Sequence, residues 1–110
     1  MAEGYINHTD GISQGEVTWN TTNVTGDSVR KIWRKNGNIV IAGLEFTPIS
    51  GKIAIDNEIC SGLPIPKYPD SAIFESNGRQ MQVTATGILR WYYPTNTSTL
   101  TRIDITLVYI

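Results

Sequence analysis

The strongest constraint on the fold is its punctuation: two Asn-Gly dipeptides, Asn36-Gly37 and Asn77-Gly78, each sit between short runs of β-branched and apolar residues. Asn and Gly tolerate the positive φ of the mirror-image turns that close tight hairpins, so each dipeptide predicts two antiparallel strands folded back on one another. Residues 29–34 and 38–46 are the runs around the first turn, and residues 72–75 and 80–86 those around the second. Gly43 lies inside one of these runs, which predicts a bulge or a close backbone approach there. Residues 100–110 are the clearest strand, because Ile103, Ile105, Leu107 and Tyr109 alternate with Arg102, Asp104, Thr106 and Val108. No stretch repeats apolar residues with helical spacing over three turns. The expected fold is therefore all-β, an antiparallel β-sandwich or jelly-roll-like domain.

The remaining segments fit around this frame. Ile53 and Ile55 alternate with Lys52, Ala54 and Asp56, predicting a short strand over residues 52–56. Residues 60–69 contain Pro64, Pro66 and Pro69, which remove ladder donors and fix φ, so an ordered extended loop is expected. The densest aromatic cluster falls in residues 88–93, ended by Pro94 and a polar turn over 95–99. Residues 1–27 carry Gly4, Gly11, Gly15 and Gly26 among Asn, Thr, Asp and Ser, the texture of a linker or stalk-derived segment. The division expected is a connector over 1–27 and a β-sandwich over 28–110, with a first strand beginning near residue 16.

A chain of 110 residues has room for one domain. A domain of that size leaves a thin stability margin that self-association would widen. Nine Lys and Arg against ten Asp and Glu, with neither sign gathered in a block, argue against nucleic acid as partner. Cys60 and His8 are the only residues of their types, so an internal disulfide and a Cys/His zinc cage are both excluded. No long apolar run or secretion-signal pattern is present, so membrane insertion is not expected, nor is any cofactor.

Catalytic patterns are scarce. A His-based triad would have to reach His8, outside the expected core. Glu45, Asp56, Glu58 and Glu75 are acids available for glycoside cleavage, but each falls on a polar face or strand end where acids are ordinarily solvated. The turn glycines at Gly37, Gly51 and Gly78 do not form a phosphate-cradling loop. Asn-x-Ser/Thr triplets begin at Asn7, Asn20, Asn23 and Asn96, as expected of a chain rich in Asn and Thr. The expectation is a domain that binds and assembles and is not an enzyme; a small glycosidase or esterase would need two converging acids, or one near His8.

The aromatic residues carry more information. In a regular strand Trp91 and Tyr93 share one side and Tyr92 takes the other, so one set faces away from the interior unless an interface covers it. Exposed aromatic rings beside polar turns suit a saccharide, whose C–H face stacks on them; burial in the core or at a subunit contact is the alternative. Trp19 and Trp33 share this ambiguity. Trp33 lies among Arg30, Lys31, Arg34 and Lys35, whose stems are able to pack over its ring.

The succession Val17-Thr18-Trp19-Asn20, Ser28-Val29-Arg30-Lys31, Lys35-Asn36-Gly37-Asn38-Ile39-Val40 and Gly62-Leu63-Pro64-Ile65-Pro66 resembles the C-terminal domains of bacteriophage tail and baseplate proteins. The likeness is to the receptor-binding and baseplate upper-protein modules of phages and prophages of Gram-positive bacteria, and covers residues 16–110. It implies a β-sandwich assembled as a homotrimer at the distal end of a tail fibre, carried by an N-terminal stalk in the virion. The tip of such a protein either binds host cell-wall or capsular saccharide or docks another tail or baseplate protein. On the first reading the site residues are Trp91, Tyr92 and Tyr93, with Asn96 and Glu75 as hydrogen-bonding neighbours, and three modest sites gain avidity on one trimer. A neighbouring protomer would cover Leu63 and Ile65. A concave aromatic pocket favours saccharide, whereas a broad flat apolar patch favours a protein partner.

Overall fold

The computed structural model describes residues 12–94 and 101–110. Among the described residues nine strands form two sheets: β1 (Ile12–Glu16), β2 (Thr18–Trp19), β3 (Val24–Asn36), β4 (Ile39–Pro48), β5 (Glu58–Ser61), β6 (Ile73–Ser76), β7 (Arg79–Val83), β8 (Leu89–Pro94) and β9 (Ile103–Tyr109). One sheet has the order β1-β3-β4-β9 and the other β2-β5-β8-β7-β6, and all pairings are antiparallel. The all-β expectation holds. The alternation of β4 buries Val40, Ala42, Leu44 and Phe46, and β9 adds Ile103, Leu107 and Tyr109. The second sheet answers with Ile59, Met81, Val83, Leu89 and Trp91. Phe46 and Trp91 meet edge to face with centroids 6.3 Å apart, joining the layers.

The two Asn-Gly dipeptides make different turns. Asn77 and Gly78 both have positive φ (53° and 79°), and Ser76 pairs with Arg79, as a type I′ turn requires. At the other hairpin Asn36 is still a strand residue paired with Ile39, and the two-residue loop is Gly37-Asn38, with only Gly37 at positive φ (61°). That is the glycine-first pattern of a type II′ turn. At this same end Ile12 pairs with Asn36 and Tyr109 with Val40, so the start of β1 and the end of β9 lie at one end of the sheet, on its two opposite edges.

Of the connector expected over residues 1–27, the described part, residues 12–27, holds β1, β2 and the start of β3. Gly15 and Gly26 serve packing. Gly15 pairs with Trp33, and a Cβ at Gly15 would come within 2.6 Å of that indole. Gly26 lies still closer under the ring of Trp19, whose Nε1–H donates to the Asp27 carbonyl at 3.0 Å. Both indoles thus cover bare backbone and pack on the core.

Three further expectations change. Residues 52–56 form turns: Lys52 N–H donates to the Ile49 carbonyl (3.0 Å), Asn57 N–H to that of Ala54 (3.1 Å), and Asp56 adopts a φ of 69°. Ile53 is consequently buried while Ile55 is exposed, so they do not share a face. The strand expected over 80–86 stops at Val83, where Thr84 accepts from Gly87 N–H (3.0 Å) in a turn. In the expected loop, Cys60 and Ser61 belong to β5, and the rest is anchored through Leu63 N–H to the Gly87 carbonyl (3.0 Å) and Lys67 N–H to that of Ile110 (2.8 Å). Leu63 is buried by its own chain; Ile65 is exposed.

The irregularity expected at Gly43 lies across from it. Between the pairs Gly26–Phe46 and Lys31–Leu44, residues 27–30 of β3 bulge opposite Glu45 alone. The Asp27 carboxylate holds the bulge by accepting from the Val29 and Arg30 amides at 2.8 and 2.6 Å. The bulge sends Arg30 across Gly43, where a Cβ would stand 2.8 Å from Nη1, to an ion pair with Asp104 at 2.5 Å.

Candidate functional site

The surface that gathers the sequence-predicted residues is the outer side of the five-stranded sheet, and a second bulge creates it. Met81 pairs with Trp91 and Gln80 with Tyr93, so Tyr92 is an extra residue in β8. The insertion breaks the simple alternation expected for the three aromatics. Trp91 points inward and is 0% exposed, while Tyr92 and Tyr93 are both exposed, at 39% and 58%. Trp91 is thus corrected from site residue to core: it packs on Phe46, and its backbone exchanges hydrogen bonds with Asp56 and Asn57 (2.9 and 3.0 Å), pinning the turn before β5.

Beyond the bulge the register carries one outward row across three strands. Tyr93 on β8 pairs with Gln80 on β7, which pairs with Glu75 on β6, and all three side chains are exposed. Adjacent strands lie about 4.8 Å apart, so the row from ring to carboxylate spans roughly 10 Å. Asn96 lies outside the described residues, as do His8 and the triplets at Asn7 and Asn96.

A rigid polar network borders the row. Arg90 donates to Gln82 Oε1 through Nε and Nη2 (3.2 and 2.8 Å) and pairs with Asp56 at 2.9 Å. Gln82 in turn donates to the Pro69 carbonyl at 3.1 Å. With both neighbours fixed, Arg90 stiffens the sheet beside the row without projecting a free charge into it. The row therefore offers an aromatic face, an amide that donates and accepts, and an accepting carboxylate: a set that can stack on a ring and hydrogen-bond its substituents.

Two of the other acids considered for paired-carboxylate chemistry do different work. Asp56 is held by Arg90, and Glu45 pairs with Arg102 at 3.0 Å. Among the described residues no group of three or more His, Cys, Asp or Glu could hold a metal. Cys60 is buried, and desolvation pushes its thiol up to about 12, leaving almost no thiolate at neutral pH.

A second surface escaped the sequence reading. On the outer side of the four-stranded sheet Ile12, Ile39, Ile41 and Val108 are exposed around Arg34, forming a broad apolar area without aromatic rings. Gln80 was missed as well. The alternation of β3, β4 and β9 held the signal for the first, but Gln80 becomes a neighbour of Tyr93 only through the bulge register. Comparison of the chain with protein-family models, with curated proteins and with solved structures finds no match.

Proposed function

We propose that the chain is a non-catalytic recognition domain of phage-tail type that binds a host cell-surface saccharide on the outer row Tyr93–Gln80–Glu75. The observation that carries this reading is the register that lines up a half-exposed tyrosine, an amide and a carboxylate on three adjacent strands. The tyrosine supplies a stacking face for sugar C–H groups, and Gln80 and Glu75 receive the hydroxyls. Tyr92, displaced by the bulge, widens the platform. Binding on an open sheet surface is shallow, so affinity is gained by multiplicity, and homotrimeric assembly at the end of a tail belongs to the proposal.

The test is a glycan array probed with the purified chain and with Tyr93→Ala. Binding to a defined cell-wall or capsular glycan, lost in the variant while its circular dichroism spectrum is unchanged, supports the reading. A uniformly negative array overturns it. Sedimentation equilibrium addresses assembly, with a mass about three times the 12.2 kDa chain expected.

A further inference from the structure

The outer side of the four-stranded sheet can be read row by row from its register. Ile12, Asn36 and Ile39 form one row; Gln14, Arg34, Ile41 and Val108 the next; Glu16, Ile32, Gly43 and Thr106 the third. Two depressions follow β4 on either side of Arg34 and Ile41. One, of about 480 Å³, is walled by Ile12, Asn36 and Ile39. The other, of about 350 Å³, is walled by Val29, Arg30, Ile32 and Thr106, with the Arg30 side chain lying over Gly43 at its floor.

Charge on this face is unbalanced. Arg30 is committed to Asp104 (2.5 Å), and Glu16 to Lys31 (3.3 Å). Arg34 has no hydrogen-bond or ion-pair partner among the described residues, yet it stands between exposed isoleucines. Two copies meeting through this face would oppose their Arg34 side chains with the acids of the face, Glu16, Glu45 and Asp104, already engaged. The complement is a carboxylate carried between aliphatic groups, which a guanidinium grips through paired N–H donors.

We propose that this face docks an extended acidic segment of a different protein, laid along β4 with a Glu or Asp on Arg34 and an aliphatic side chain two residues to either side, one in each depression. The spacing fits: side chains at i, i+2 and i+4 of an extended segment share one face, and the outer two stand about 13 Å apart, as do Ile39 and Gly43 on β4 itself. The proposal is independent of the saccharide row on the opposite sheet.

The experiment is an anisotropy titration of the whole chain with a labelled, end-capped peptide containing Ile-Thr-Glu-Thr-Ile. Saturable binding is expected, weakened about tenfold by Arg34→Gln or by Gln in place of the peptide Glu, since a charge-assisted hydrogen bond is at stake. Ile41→Lys weakens it also, and an unchanged melting temperature of each variant confirms that the fold is intact. Absence of binding overturns the proposal, as does equal binding of the Glu and Gln peptides or indifference to Arg34→Gln. It also fails if the chain alone sediments as an oligomer that Ile41→Lys dissociates, because a second copy then holds the face. Tyr93→Ala leaves the titration unchanged.

Discussion

The hydroxyl of Tyr109 donates to the Pro64 carbonyl at 2.7 Å, fastening the last strand to the proline loop. Residues 62–68 lie in neither sheet, so this bond and the Lys67–Ile110 backbone bond hold the segment to β9. Burial, assisted by neighbouring Cys60, pushes the phenol above its ordinary range, because ionisation would cost both hydration and the donated proton. Tyr109→Phe is expected to destabilise the fold by about 1 kcal/mol, read from the denaturant midpoint, since the Pro64 carbonyl loses its partner.

Alkaline pH acts on the same region. The folded-state values of Tyr109 and Cys60 are both raised, the thiol to about 12. Their stability contribution is therefore complete below the unfolded-state values, about 8.5 for the thiol and about 10 for the phenol, and is lost as pH rises from there through the folded values. Denaturation midpoints between pH 8 and 11 are expected to fall, and Cys60→Ala is expected to flatten the decline.

The tryptophan seats make a second class of prediction. Gly26→Ala places a methyl group where the Trp19 ring lies, and Gly15→Ala does the same beneath Trp33. Each is expected to cost about 1–3 kcal/mol, the range for overpacked sites, although alanine is intrinsically better than glycine in a strand. Tryptophan emission reports it directly, shifting to the red as an indole leaves its seat.

Asp27 governs the acid limb. The Arg30 and then the Val29 amides lower its folded-state value by hydrogen-bonding the charged form. Its contribution is therefore present above the ordinary carboxylate range and is lost as pH falls through the depressed folded value. Asp27→Ala should be less stable than the parent at pH 7, with the difference shrinking towards pH 2, as measured by urea midpoints.

Trp91 and Tyr93 separate core from surface. Trp91→Ala empties a fully buried site and is expected to cost about 3–5 kcal/mol, whereas Tyr93→Ala should change stability by less than about 1 kcal/mol. Thermal melts of the two variants check the contrast. A stable Trp91→Ala protein would remove the indole from the centre of the core.

Strand alternation and hairpin chemistry made the fold class legible in the sequence, because periods of two and Asn-Gly turns act locally. The errors arose where tertiary contacts decided. Gly15 and Gly26 read as linker residues until the indoles that cover them come from other strands, and Ile53 and Ile55 alternate like a strand without finding one to pair with. In the site, Glu75 and Tyr93 are brought into one row, but Trp91 is not, since an added residue in β8 depends on its partner strand. The isolated cation at Arg34 emerged only once the pairings of its neighbours were visible.

The start of β1 and the end of β9 flank the same hairpin, one on each edge of a single sheet. Tension applied across these two points pulls the edge strands away from their neighbours one residue pair at a time, like a zip, where opposed ends would load whole ladders in shear. Mechanical failure of this domain is thus set by its first few pairs, Ile12–Asn36 and Val40–Tyr109, and by the Tyr109 hydroxyl that reinforces the second.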